Sequence, residues 1–200
     1  MPEFDTFLYS SRAYSSEEII SFSQSPRTHF SDIDKEMQFL RNAANVQVIC
    51  LTQAEFDAFI LNYANHYKSI YFFQNTLVKD LSALAHLQNV EYLLFYNVRA
   101  NSLWDMSSNS QLKGIYISDS KKLCYDLSFL PTAPALEEVV LLSSAYSKYT
   151  VKSLEPLKSC KKLKRAMLEC ITEDGLFAPE DFSHLETAKY RVNKFHNCKF

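Results

Sequence analysis

Glycine is almost missing from this chain: Gly114 and Gly175 are the only two in 200 residues. Phosphate-cradling loops and dinucleotide fingerprints need several glycines, because the backbone must approach the phosphate closely. Both are excluded, and so is the G-x-S-x-G nucleophile elbow. Cysteine is present (Cys50, Cys124, Cys160, Cys170, Cys198), but in odd number and with no C-x-x-C pair. No N-x-[ST] sequon occurs, and no apolar run reaches the length of a membrane span. The start, MPEFDTFLYSS, has acids where a signal peptide has bases. These absences lead to the expectation of a soluble protein of a reducing compartment, the cytoplasm. Charge of one sign is also lacking. The net charge of −2 drives the chain onto neither nucleic acid nor membrane.

What is there is apolar and aromatic: 47% and 14% of the residues, enough for a sizeable core. The charge is graded, with four Lys/Arg against nine Asp/Glu in residues 1–60 and ten against seven in 151–200. The run Lys158, Lys161, Lys162, Lys164, Arg165 reads as a solvated face and not as a nucleic-acid site.

The stretch VEYLLFYN, residues 90–97, is apolar on both faces of a strand, although one core needs only one. It belongs to a series. Strand-like segments can be anchored at Ile49, Ile70, Leu93, Ile115, Val139 and Ala166, at spacings of 21, 23, 22, 24 and 27 residues, with a weaker one at Tyr190. Before most anchors, apolar residues fall twelve, nine, six and three positions back. Examples are Leu81, Leu84, Leu87 and Val90, or Leu154, Leu157, Cys160 and Leu163. For Ile49 they are Met37, Leu40, Ala43 and Val46; for Ile70 they are Ala58, Leu61, Ala64 and Tyr67. The Ile115 unit has one polar break, at Asn109. Fixed spacing in this range marks a solenoid. Thr52-Gln-Ala-Glu55 reads as a capping box opening a helix, and Ser31-Asp-Ile-Asp34 as a similar start. Each unit is therefore expected to be a strand, a turn and a helix of about three turns.

On these residues the chain resembles the leucine-rich repeat family, whose unit is L-x-x-L-x-L-x-x-N. Tyr67-x-x-Ile70-x-Phe72-x-x-Asn75 fits best. The final position otherwise holds Ala54, Val98, Ser120, Ser144 and Ile171, so the array is expected to be irregular. The resemblance implies a right-handed βα superhelix of about 6–7 repeats with a parallel concave sheet. It also implies that an Asn at the last position hydrogen-bonds the turning backbone. The expected division is one domain: a cap at 1–36 with a short helix after Ser15-Ser-Glu-Glu18, repeats at 37–171, and a cap at 172–200. The alternative fold is a doubly wound α/β domain, which also buries both faces of its strands.

In this frame the core takes each anchor and the residue two later, and their neighbours point to the second face. That face would carry Tyr71, Phe73, Tyr92, Leu94, Tyr96, Tyr116, Val140, Leu142 and Met167. In the first unit it would carry Val48, Cys50 and Thr52. At roughly 50 Å² apiece, the nine apolar side chains would expose on the order of 450 Å², a patch of interface size. The expected occupant is a protein or peptide partner, with the chain as a non-catalytic interaction module, one version being an inhibitor or antidote of an enzyme. A homodimer, cover by the N-terminal segment, and an enzyme on a divergent α/β fold are the alternatives. Glu138, Glu169 and Asp119 read as rim charges that select a partner. Trp104 and Cys160 read as core, and His66 and His86 as surface on the opposite side. His29 and His184 fall in no recognisable constellation, and His196 and Cys198 have no evident metal-binding partners. No cofactor or metal is expected.

Overall fold

Val, Ile, Phe and Tyr crowd short segments, and these become strands. The computed structural model describes residues 19–21, 44–142 and 149–193. Its strands are β1 (Ile19–Ser21), β2 (Asn45–Ile49), β3 (Ser69–Phe73), β4 (Tyr92–Tyr96), β5 (Gly114–Ser118), β6 (Glu138–Leu142), β7 (Thr150–Val151), β8 (Arg165–Thr172) and β9 (Thr187–Val192). All pairings are parallel, in the order β1-β2-β3-β4-β5-β6-β8-β7, with β9 also on β8. Strand follows strand around the array with no reversal of order from β1 to β6. That is the layout of a solenoid, not of a doubly wound sheet. No helix of the described residues is long and apolar enough to cross a membrane.

The register aligns Ile70, Leu93, Ile115, Val139 and Ala166 in one row, and Phe72, Phe95, Ile117, Leu141 and Leu168 in the next inward row. All ten are buried. Two anchors are corrected. Val46, not Ile49, pairs with Ile70. A slip of three residues is odd, so it turns every side chain of that strand to the opposite face. Val48 is thus fully buried in the core, while Gln47 and Ile49 share the row positions of Tyr71 and Phe73. At the other end Ala188, not Tyr190, lies opposite Ala166, and Tyr190 packs its ring with Phe177 and Phe182.

The connections differ from the expected three-turn helices. α1 (Gln53–Asn62) is a true helix, and its capping box is present in both halves: Thr52 accepts from the Glu55 amide while Glu55 accepts from the Thr52 amide. Its buried apolar positions are Phe56, Phe59 and Ile60, so Leu61, on the three-residue frame, is 59% exposed. Elsewhere the links are short: 3-10 turns at Ser82–His86 and Leu130–Thr132, bends and turns between β4 and β5, and the one-turn α2 (Glu155–Lys158). A 3-10 turn repeats every three residues. The apolar period of three in those units is therefore the period of the turn itself, and Leu81, Leu84, Leu87 and Val90 are all buried.

Each of β2 to β5 is followed by a residue with positive φ: Cys50, Gln74, Asn97 and Asp119, at 50–58°. Their amides still bond across to the next coil, and the chain then dives inward. Asn75 is the fullest form of that inward position. Fully buried, its Oδ1 accepts the Leu51 amide at 2.7 Å, and its Nδ2 donates to the Val48 and Phe73 carbonyls at 2.9 and 3.3 Å. Ser120 is the short form, its Oγ accepting the Val98 amide at 2.9 Å. Asn109, the polar break, is also a clamp. It donates to the Leu84 and Leu87 carbonyls, both at 2.8 Å, and accepts from the indole of the buried Trp104.

The residue two before each aligned core position forms a further row outside the core. It reads Lys68, Glu91, Lys113, Glu137, Lys164, and Glu186 one coil on. Glu91 pairs with Lys68 at 3.3 Å and Lys113 at 2.7 Å, and Lys164 pairs with Glu137 at 3.1 Å. The basic run is partly neutralised: Lys158 pairs with both Glu155 and Asp181, Lys164 with Glu137 and Arg165 with Glu138.

The 27-residue spacing before Ala166 has its own cause. The extra chain carries β7, which pairs with the far end of β8, and the fully buried Tyr149, whose hydroxyl oxygen accepts the Ser120 amide. Residues 19–21, expected in a helix, extend the sheet as β1, where paired isoleucines favour a strand. The rest of the N-terminal cap, the Ser31-Asp-Ile-Asp34 start, Met37, Leu40 and Ala43, Ser144, His29, His196 and Cys198 lie outside the described residues. Residues from 172 onward, expected to cap the array, include β9, which carries the sheet on to Val192.

Candidate functional site

Strand alternation sends odd and even positions to opposite faces, and the register then fixes which side chains meet. On the face that the main core does not use, three rows run across the strands. The first is Ser69, Tyr92, Gly114, Glu138 and Arg165; the second is Tyr71, Leu94, Tyr116, Val140 and Met167; the third is Phe73, Tyr96, Ser118 and Leu142. All nine apolar residues expected on one face therefore share it. Cys50 and Thr52 do not belong with them, because β2 ends at Ile49.

The expected open patch is corrected by the packing. Tyr92, Leu94, Tyr116 and Val140 form a second buried cluster, with exposures of 4%, 7%, 4% and 1%, and Tyr71, Leu142 and Met167 pack against it. Gly114 makes room for part of this packing: a β-carbon there would stand 2.5 Å from Cδ1 of Tyr92 and 3.2 Å from Cε2 of Tyr116. The missing side chain is the seat for the Tyr92 ring. What remains half-exposed is a margin. Within it Phe73 and Tyr96 stack at 5.0 Å with their planes 9° apart, and Tyr71 meets Phe73 edge-on at 5.7 Å. Burial pushes the Tyr71 hydroxyl up to about 12, with Tyr96 and Asp119 adding to it.

Glu138 is not a rim charge. It is 1% exposed, in an ion pair with Arg165 Nη2 at 3.4 Å and with the Tyr116 hydroxyl bearing on it. Burial raises its pKa, against the opposing pull of Tyr116 and Arg165. Burying an ionised carboxylate is costly even beside a cation. Glu169 is half-buried and pairs with Arg191 at 3.4 Å, and Asp119 sits at the end of β5. The thiols of Cys124, Cys160 and Cys170 are buried, and burial pushes each up to about 12, which suits inert core residues. Among the described residues no three His, Cys, Asp or Glu side chains gather as a metal site.

A second feature was missed by the sequence reading. Beside the Phe73–Tyr96 pair, at the carboxyl ends of β4 and β5, a groove of about 680 Å³ is lined by Tyr96, Asp119 and four cations: Lys79, Arg99, Lys121 and Lys122. These residues are scattered over 44 positions of sequence. Only the repeat frame, read for the residues that follow each strand, gathers them.

No protein-family model matches the chain. No curated protein matches it either. Among solved structures it is similar to an internalin (inlF) from Listeria monocytogenes str. 4b F2365, a leucine-rich repeat protein. The TM-score is 0.52 at 13% identity, over 78% of this chain. This chain spans about half of that one, 51%. A likeness at this identity shows the fold: a leucine-rich-repeat-like solenoid built on a parallel sheet.

Proposed function

We propose that this chain is a non-catalytic protein-interaction module whose partner, a protein or peptide, seats on the second face of the sheet. The observation that carries this reading is the half-exposed margin of Tyr71, Phe73, Tyr96, Leu142 and Met167, backed by the buried cluster of Tyr92, Leu94, Tyr116 and Val140. The inner part of the face is packed and stiff. The margin offers aromatic anchors that lose little side-chain freedom on binding. A ladder of stacked strands is how solenoids present an extended binding surface. Blocking an enzyme is one use of such a module. The odd cysteine count and the inert buried thiols suit the cytoplasm.

The test is a photo-crosslinking side chain placed in turn at Phe73, at Tyr96 and at the exposed Leu61 of α1, in the native cell. A discrete adduct with a foreign polypeptide from Phe73 and Tyr96, but not from Leu61, supports the reading. Equal labelling from all three overturns it. An adduct of twice the chain mass replaces the foreign partner with a second copy.

A further inference from the structure

We propose that the groove at the carboxyl ends of β4 and β5 takes an acidic segment of the partner, a short peptide stretch rich in Asp and Glu. This rests on the interaction-module reading and names the chemistry of what binds. The groove sets four cations, Lys79, Arg99, Lys121 and Lys122, against one carboxylate, Asp119, in a protein whose net charge is −2. None of the four forms an ion pair among the described residues, which is equally true of Lys152, Lys161 and Lys162, but these four gather in one groove. The ammonium of Lys79 donates only to a backbone carbonyl, that of Thr76. Like charges facing one groove repel, and a carboxylate entering it relieves that repulsion while gaining charge-assisted hydrogen bonds.

The fold explains the gathering. After Asn97 and Asp119 the chain turns inward, burying Val98 and Ser120, and the residues that follow, Arg99 and then Lys121 with Lys122, are thrown outward. Adjacent coils repeat the device, so cations from successive turns meet across roughly one strand spacing, about 5 Å. Tyr96 lines the groove and also stacks on Phe73. The cationic pocket thus adjoins the aromatic margin, and one peptide with acidic residues beside an aromatic anchor satisfies both. A nucleic acid fits less well. Its phosphates need a continued track of cations, and on the β3 side of the groove the turning residue is the uncharged Gln74.

The probe is a fluorescein-labelled oligoglutamate peptide ending in phenylalanine, followed by fluorescence anisotropy against the full chain. Saturable, salt-sensitive binding is expected. It should weaken at least about tenfold in Lys121→Glu/Lys122→Glu, both exposed, and stay unchanged in the equally charged control Lys161→Glu/Lys162→Glu. Absence of binding overturns the proposal, as does equal weakening in the two double variants. Tighter binding of a single-stranded oligonucleotide, lost in the same variant, overturns it in favour of nucleic acid. Failure of the peptide together with foreign adducts at Phe73 overturns this inference and spares the module reading. Peptide binding without those adducts supports the groove and overturns the face.

Discussion

Asn75→Ala is expected to be among the most damaging single changes to the array. The side chain makes three hydrogen bonds inside the protein, to Leu51, Val48 and Phe73. Leu51 and Val48 are fully buried, so water cannot replace the lost partner at the Leu51 amide. One orphaned buried donor costs about 1–3 kcal/mol, and the two donated bonds add about 0.5–1.5 kcal/mol each. The expected loss is about 2–6 kcal/mol, a large share of the roughly 5–15 kcal/mol that stabilises a typical domain. Ser120→Ala orphans one amide, that of Val98, and should cost about 1–3 kcal/mol. Urea unfolding followed by the single tryptophan, Trp104, measures both, because that ring is buried and bonded to Asn109. Amide exchange at Leu51 should accelerate in the Asn75 variant alone. A cost below about 1 kcal/mol, or one no larger than that of Ser120→Ala, would refute the claim that these inward clamps join the coils.

Glu138→Gln should be increasingly stabilising as pH rises. Burial raises the folded pKa of Glu138 above its unfolded value, so the folded state holds the proton more tightly. Stability is fullest below the unfolded value, roughly 4.3, and is lost as pH climbs through the folded one. The difference in unfolding free energy between variant and wild type, followed from about pH 4 to about pH 8, should therefore grow; a flat or falling difference would contradict the assignment. Gly114→Ala should cost about 1–3 kcal/mol, because the new methyl meets the Tyr92 ring at 2.5 Å. Combined with Tyr92→Ala most of that cost should vanish; additive losses in the double-mutant cycle would show that the two do not touch.

The frame at Ile70, Leu93, Ile115, Val139 and Ala166 was legible because strand and link each repeat an apolar signal, and both agree. It failed at β2 because VQVICL alternates in two phases, V-Q-V and I-C-L. The phase is set by Cys50, which takes the turning position of Gln74 and sends Leu51 inward where Asn75 goes. Alternation placed Tyr92 and Glu138 on the right face but could not show that they are buried. Tyr92 packs over Gly114, a contact between coils 22 residues apart, and Glu138 sits against Arg165 and Tyr116, neighbours that alternation does not encode. The basic groove escaped notice because its cations occupy loop positions with no apolar period to mark them.

The row Lys68, Glu91, Lys113, Glu137, Lys164 changes sign at every coil. Each exposed pair is worth only about 0.2–1 kcal/mol, too little to hold the array together. The alternation nevertheless gives the chain a parity. Excising the coil of Glu91 would set Lys68 against Lys113; excising two adjacent coils would set Lys68 against Glu137 and keep the signs opposed. A solenoid whose apolar seams are interchangeable could otherwise lengthen, shorten or mis-stack by any whole unit. Here the errors that skip one coil meet like charges, and those that skip two do not. The natural unit of growth for this array is therefore a pair of coils.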